Sequence, residues 1–222
     1  MRAVRIWIKK EGRAKYISHL DMNRCFTRAV RRAGLNLWYT EGFNPHPYLN
    51  FLTPLSLGQE SDGEPLDVRM EDETSDAEIL ARLNAALPEG ISVARVQNAV
   101  RKASDIAYAS YTIRIELDTA DDAESFCKKA RALLEGGELT AEKIGKQGRN
   151  KVMKQVRLSE KICSVQVSSD GVCAVLDAVL HAGNDMLNPV LLTDALQKAI
   201  GTDGLVRIRR HAFYCSDMQA FE

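Results

Sequence analysis

The chain has no excess of charge: 30 Lys and Arg face 30 Asp and Glu across 222 residues. No global field therefore draws it to nucleic acid or to an anionic membrane, and any basic surface has to be a local patch. No apolar run approaches the roughly 20 residues that span a bilayer. The opening residues, MRAVRIWIKKEGR, alternate apolar and basic side chains and lack the apolar core and cleavage site of a signal peptide, so a cytoplasmic location without a membrane partner is expected. Cys25, Cys127, Cys163, Cys173 and Cys215 form no CxxC pair, which argues against a zinc ribbon or an iron–sulfur site. Scattered and odd in number, they read as reduced core thiols. A P-loop, GxGxxG, GxSxG and HExxH are all absent, so nucleotide hydrolysis, dinucleotide redox and the common hydrolase chemistries have no support. No metal or cofactor is expected.

What is present is a regular alternation of elements. Residues 4–9 alternate as a half-buried strand. Ser18 then caps a helix reaching residue 33, with Asp21 three residues on in the style of a capping box, and Gly34 supplies the stop. Residues 35–39 read as a short strand and 42–47 as a turn. Residues 48–57 read as an edge or bulged strand interrupted by Pro54, and 65–70 as a further short strand. Ser75 caps a second helix to about residue 83, and 91–100 closes with a strand. Strand, helix, strand, strand, helix, strand is the ferredoxin-like order.

The second half repeats that order. A strand at 108–117 precedes a helix at 121–134. A hairpin turns through Asp170-Gly171, a helix opens at Pro189, and a strand spans 205–214. The expected fold is α+β: two tandem ferredoxin-like domains, 1–105 and 106–222, with antiparallel sheets. A basic insert at 143–161 in the second domain carries Lys146, Arg149, Lys151, Lys154 and Arg157 as a secondary basic patch. It reads as a mobile loop or an extra β-hairpin on the surface.

Most of the functional signal lies in residues 16–58. At roughly 100° per residue, Arg24, Arg28 and Arg31 fall on one stripe of the first helix with Arg32 at its edge. Met22, Phe26, Ala29, Val30 and Ala33 fall opposite, toward a core. Arginine's planar fork suits phosphate and carboxylate, and no acidic residue lies within the stripe to balance it. His19 and Asp21 occupy the first helical turn, where Asp21 reads as a cap and His19 as a hydrogen-bond donor or general acid/base. In the loop Glu41-Gly42-Phe43-Asn44-Pro45-His46-Pro47, two prolines flank His46 and restrict its backbone, as a recognition loop needs. His19, Asp21, Glu41 and His46 match no strong metal-ligand spacing. The candidate ligand- or RNA-binding residues are Tyr16, His19, Arg24, Arg28, Arg31, Arg32, Glu41, Asn44 and His46. No catalytic residue is assigned.

These residues resemble a bacterial family of radical-SAM-linked proteins, a domain of unknown function. The shared pattern is Tyr-x-Ser-His-Leu-Asp at 16–21, an arginine-bearing helix ending Arg-Arg-Ala at 33, and Thr-Glu-Gly-Phe-Asn-Pro-His-Pro at 40–47. Pro-Leu-x-x-Gly follows at 54–58, then Ser61, Glu64 and Asp67. The match is specific over the first third of the chain. The resemblance implies a radical-SAM protein as partner, with this chain as the stand-alone linked domain, since it lacks cluster-binding cysteines.

The expected function is a non-catalytic RNA-binding or substrate-presenting partner of a radical-SAM enzyme, acting on tRNA or rRNA in RNA modification or ribosome-related processing. Two alternatives stand beside it. One is an RNA-processing enzyme with His19 and His46 as acid and base. The other is a protein–protein adaptor docking through residues 41–47. Fold analogy links the chain to RNA here.

Overall fold

Side chains alternate along a strand, and this puts Val4, Ile6 and Ile8 together on one face of β1 (Arg2–Lys10), where all three are buried. The computed structural model describes residues 1–147 and 150–222, and the side chains of all but 142–154. It divides into two compact units. The first comprises Met1–Asp105 with Arg209–Ala212 and Ala220–Glu222, and the second Ile106–Ile208 with Phe213–Gln219.

In the first unit, α1 (His19–Arg32) lays Met22, Phe26, Ala29 and Val30 into the core with Val4, Ile6 and Ile8. Burial of a side chain such as Phe26 stabilises by roughly 1.5–3 kcal/mol. Gly34, at φ +62, takes the left-handed conformation just beyond the helix end. The chain continues through β2 (Leu49–Phe51), β3 (Glu60–Met70), α2 (Asp76–Ala86) and β4 (Ile91–Asn98). The strands lie in the order β4-β1-β3-β2, and each neighbouring pair is antiparallel. Arg209 and Arg210 add a parallel pairing with Glu60 and Ser61.

The other face of β1 is polar at its centre. Arg5 is fully buried. It donates to both oxygens of Asp67, from Nε at 2.8 Å and Nη2 at 3.0 Å, and to the Arg101 carbonyl at 2.7 Å. Its guanidinium stands 4.4 Å from the centre of the Phe221 ring, which also meets Trp7 edge-on. Asp67, one of the motif acids, is thus a structural partner of a buried arginine.

The second unit runs β5 (Tyr108–Glu116), α3 (Ala120–Gly136), β6 (Thr140–Gln147), β7 (Asn150–Arg157), β8 (Ile162–Asp170), β9 (Cys173–His181), α4 (Pro189–Ile200) and β10 (Leu205–Tyr214) without its Arg209–Ala212, which count with the first unit. Four strands take the order β10-β5-β9-β8, and β6 pairs antiparallel with β7 as a separate hairpin. Thr119 and Asn188 cap α3 and α4 through their side-chain oxygens. The fold is mixed α+β with mostly antiparallel sheets, as the alternation of patterns led one to expect.

Three local expectations need correction. Residues 35–39 form no strand: Leu37 and Tyr39 make isolated bridges to Met70 and Pro47. The third strand starts at Glu60, five residues before Pro65, and Pro65 sits inside it opposite Trp7. A proline is accommodated there because β2 pairs only with Leu66, Asp67 and Val68, leaving Pro65 just beyond its end. The sheets also contain the parallel pairing at Arg209 and Arg210, where all-antiparallel pairing was expected.

Candidate functional site

The start of α1 is built by reciprocal hydrogen bonds. Ser18 Oγ accepts the Asp21 N–H at 3.1 Å and donates to Asp21 Oδ2 at 2.7 Å. The other carboxylate oxygen takes Arg24 Nη1 at 3.0 Å. The Ser18 hydroxyl first, and Arg24 second, hold the Asp21 carboxyl below its ordinary range. Ser18 is therefore the cap, and the Asp21 carboxylate, expected to cap, accepts no backbone N–H; it braces the Ser18 hydroxyl and balances one arginine. The stripe is not free of acidic neighbours, because i,i+3 spacing brings Asp21 onto Arg24.

Arg32 is engaged as well, donating to the Ala86 carbonyl at the end of α2 at 2.7 Å. That leaves Arg28 and Arg31. Both are exposed, and neither makes a hydrogen bond or ion pair among the described residues. Tyr16 ends a short 3-10 turn, Gly12–Tyr16, and is 66% exposed, with Lys15 Nζ 5.4 Å from its ring centre.

Residues 37–48 form a narrow excursion. The Thr40 N–H donates to the His46 carbonyl at 2.9 Å and the Tyr48 N–H to the Trp38 carbonyl at 3.0 Å. At its base the rings of Trp38 and Tyr48 lie 5.8 Å apart, with the Arg69 guanidinium 5.0 and 4.8 Å from their centres. His46 Nδ1 is 3.1 Å from both the Asn44 carbonyl and Thr40 Oγ1. A carbonyl can only accept, so Nδ1 carries the hydrogen and a neutral ring keeps Nε2 as its free acceptor. Glu41, Asn44 and His46 are all exposed. So is Phe43, fully, at the tip. Sequence reasoning passed over Phe43, though a phenylalanine among turn residues, outside any apolar periodicity, is a visible signal.

His19 lies in different surroundings. Its ring meets Phe51 edge-on at 5.3 Å, and Phe51 meets Phe26 in the same way at 5.8 Å. His19 and Met22 of α1, with Lys10, Phe51, Thr53, Pro54, Leu55, Glu64 and Pro65, line a cavity of about 20 Å³, room for one or two water-sized groups. Lys10 is 3% exposed, and its Nζ donates to the Ile17 carbonyl at 2.8 Å. Burial lowers the pKa of its ammonium group, against the attraction of Glu64 and with the repulsion of Arg210. Glu64 is held by Arg210, from Nε to Oε1 at 2.9 Å and from Nη2 to Oε2. Thr53 Oγ1 is buried with no hydrogen-bond partner among the described residues.

Three parts of the motif singled out from the sequence therefore meet here: His19, Pro54 with Leu55, and Glu64. The arginines and His46 do not line this cavity. Arg31, twelve residues beyond His19 along α1, is about 18 Å further along the helix axis. Of the cavity's charged residues, Glu64 belongs to the motif quoted from the sequence, and Lys10 was missed. The signal was available for Lys10, because the alternation of Val4, Ile6 and Ile8 carried two residues further places a charge on the buried face.

The secondary basic patch is only partly visible. β6 and β7 form the hairpin that had been one of two expectations. Arg157 is exposed at its end. Lys146, Arg149, Lys151 and Lys154 lie outside the residues whose side chains are described. Among the described residues, no group of three His, Cys, Asp or Glu could hold a metal ion. No helix among them is long and apolar enough to cross a membrane.

A chain of a Cbf5–Nop10–Gar1 complex is similar over 95% of this chain and 48% of its own length, at 10% identity and a TM-score of 0.52. A chain of an archaeal box H/ACA sRNP Nop10–Cbf5 complex is similar over 93% of this chain and 46% of its own, at 12% identity and a TM-score of 0.48. An unknown protein from Galdieria sulphuraria covers 94% of this chain at 12% identity, with a TM-score of 0.25. The chain thus spans about half the length of the first two, and the likeness to the first, at 10% identity, concerns fold alone. No curated protein matches the sequence. A family model does, over residues 3–189, and the chain therefore belongs to DUF2344, a family described as an uncharacterized protein conserved in bacteria.

Proposed function

We propose that this chain is a non-catalytic RNA-binding subunit of the cytoplasm that presents tRNA or rRNA to a modifying or processing enzyme. By the resemblance of its motifs, that enzyme is a radical-SAM protein. The observation that carries the reading is the solvent face of α1. There Arg28 and Arg31 are exposed, and among the described residues neither makes an ion pair, while the neighbouring Arg24 and Arg32 each have a partner. Arginines without a carboxylate partner suit phosphate oxygens.

The loop at 41–47 supports the same reading. Recognition of single-stranded RNA uses splayed bases stacked on aromatic rings, and Phe43 offers a fully exposed ring on a loop tied back by Thr40 and His46. We take each unit as a ferredoxin-like βαββαβ layer and residues 1–105 and 106–222 as separate domains. The strand orders β4-β1-β3-β2 and β10-β5-β9-β8 support this.

The direct test is fluorescence anisotropy of labelled tRNA and rRNA fragments with the full chain. Saturable binding is expected at about 50 mM salt, weakening steeply by about 200 mM. Absence of binding at the lower salt ends this reading.

A further inference from the structure

We propose that the cavity at the end of β1 binds the carboxylate of a small organic acid, with Lys10 and Thr53 as its hydrogen-bond donors. Glu64 attracts Lys10 but makes no hydrogen bond or ion pair with it among the described residues; its oxygens meet Arg210. An ammonium group has three donor hydrogens, and the Lys10 Nζ places one on the Ile17 carbonyl. Two remain on a charge that is 97% removed from solvent and lines the cavity. The Thr53 hydroxyl is the second donor, buried and without a partner among the described residues.

Glu64 lines the cavity beside Lys10, but its charge is offset by Arg210 behind it, so the three groups together are net positive. An anion is the complement of that set. The size of the cavity, about 20 Å³, fits a planar carboxylate head, and Met22, Phe51 and Pro65 offer an apolar wall to a short stem. This site is separate from the α1 face proposed for RNA, and neither proposal depends on the other.

The test is an amide NMR titration of the full chain with sodium propionate, against propionamide as a neutral isostere and sodium chloride at matched ionic strength. Propionate is expected to shift the amides of Ile17, His19 and Thr53 saturably, in the millimolar range, while propionamide and chloride leave them in place. Lys10→Met should weaken propionate at least about tenfold, and Thr53→Val about threefold. Equal shifts with propionamide, no saturable shift up to about 100 mM, or an unaltered affinity in Lys10→Met overturn the proposal. Should Lys10→Met fail to fold, the comparison of propionate with propionamide on the unmodified chain decides.

Discussion

Arg210 holds Glu64 through two of its guanidinium nitrogens, with side-chain exposures of only 3% and 7%. A buried charge pair contributes little net stability when intact, yet removing one partner strands the other. Glu64→Gln is therefore expected to destabilise the fold by about 3–5 kcal/mol. The double change Arg210→Met with Glu64→Leu should cost less, because neither member of the pair is stranded and Lys10 loses the attraction of Glu64 and the repulsion of Arg210 together. Urea unfolding midpoints of the two variants check this. A Glu64→Gln midpoint equal to that of the parent would show that the pair is not desolvated.

Asp62 gives the fold an acid-sensitive point. Burial acts to raise its pKa, but the hydrogen bonds from His211 at 2.7 Å and Arg209 at 2.8 Å outweigh burial and leave the carboxyl below its ordinary value. A carboxyl depressed on folding contributes stability that is fully present above its unfolded value, about 3.9, and is lost as pH falls through the folded value. Asp62→Asn is expected to be less stable than the parent at pH 6–7, with the gap closing below about pH 4. Urea midpoints measured from pH 3 to 7 would show parallel profiles if the carboxylate made no such contribution.

Phe43 is expected to act as a stacking platform. Phe43→Ala should weaken RNA binding by about 1–3 kcal/mol. It should leave the salt dependence of binding alone and the thermal midpoint within about 0.5 kcal/mol of the parent. Anisotropy and thermal unfolding of the one variant separate these effects. A loss of stability matching the loss of binding would mark the ring as structural.

Local chemistry made much of this legible in the sequence. Ser18, Gly34 and the 3.6-residue spacing of Met22, Phe26, Ala29 and Val30 delimit α1 because caps and periodicity act within a few residues. Asp170-Gly171 marked the β8–β9 turn for the same reason. Long-range pairing was not legible. Glu64 and Arg210 are separated by 146 residues, and no periodicity in either strand shows that one faces the other. Ser18 was read correctly as the cap, but that the Asp21 carboxylate accepts from the Ser18 hydroxyl and from Arg24 depends on rotamers that the sequence does not display. His19 and His46, paired by fold analogy in the enzyme alternative, have different neighbours: Phe51 beside His19, and Asn44 and Thr40 beside His46.

The central claim is that the Arg28–Arg31 face of α1 meets phosphates. The salt dependence of RNA affinity tests it most directly, because each arginine withdrawn from a phosphate removes a roughly constant increment of counterion release. The plot of log affinity against log salt for the double variant Arg28→Ala, Arg31→Ala should be shallower than that of the parent by about 1.5–2 units, with affinity reduced alike across RNA sequences. An unchanged slope, or binding by the parent that does not respond to salt, would contradict the account.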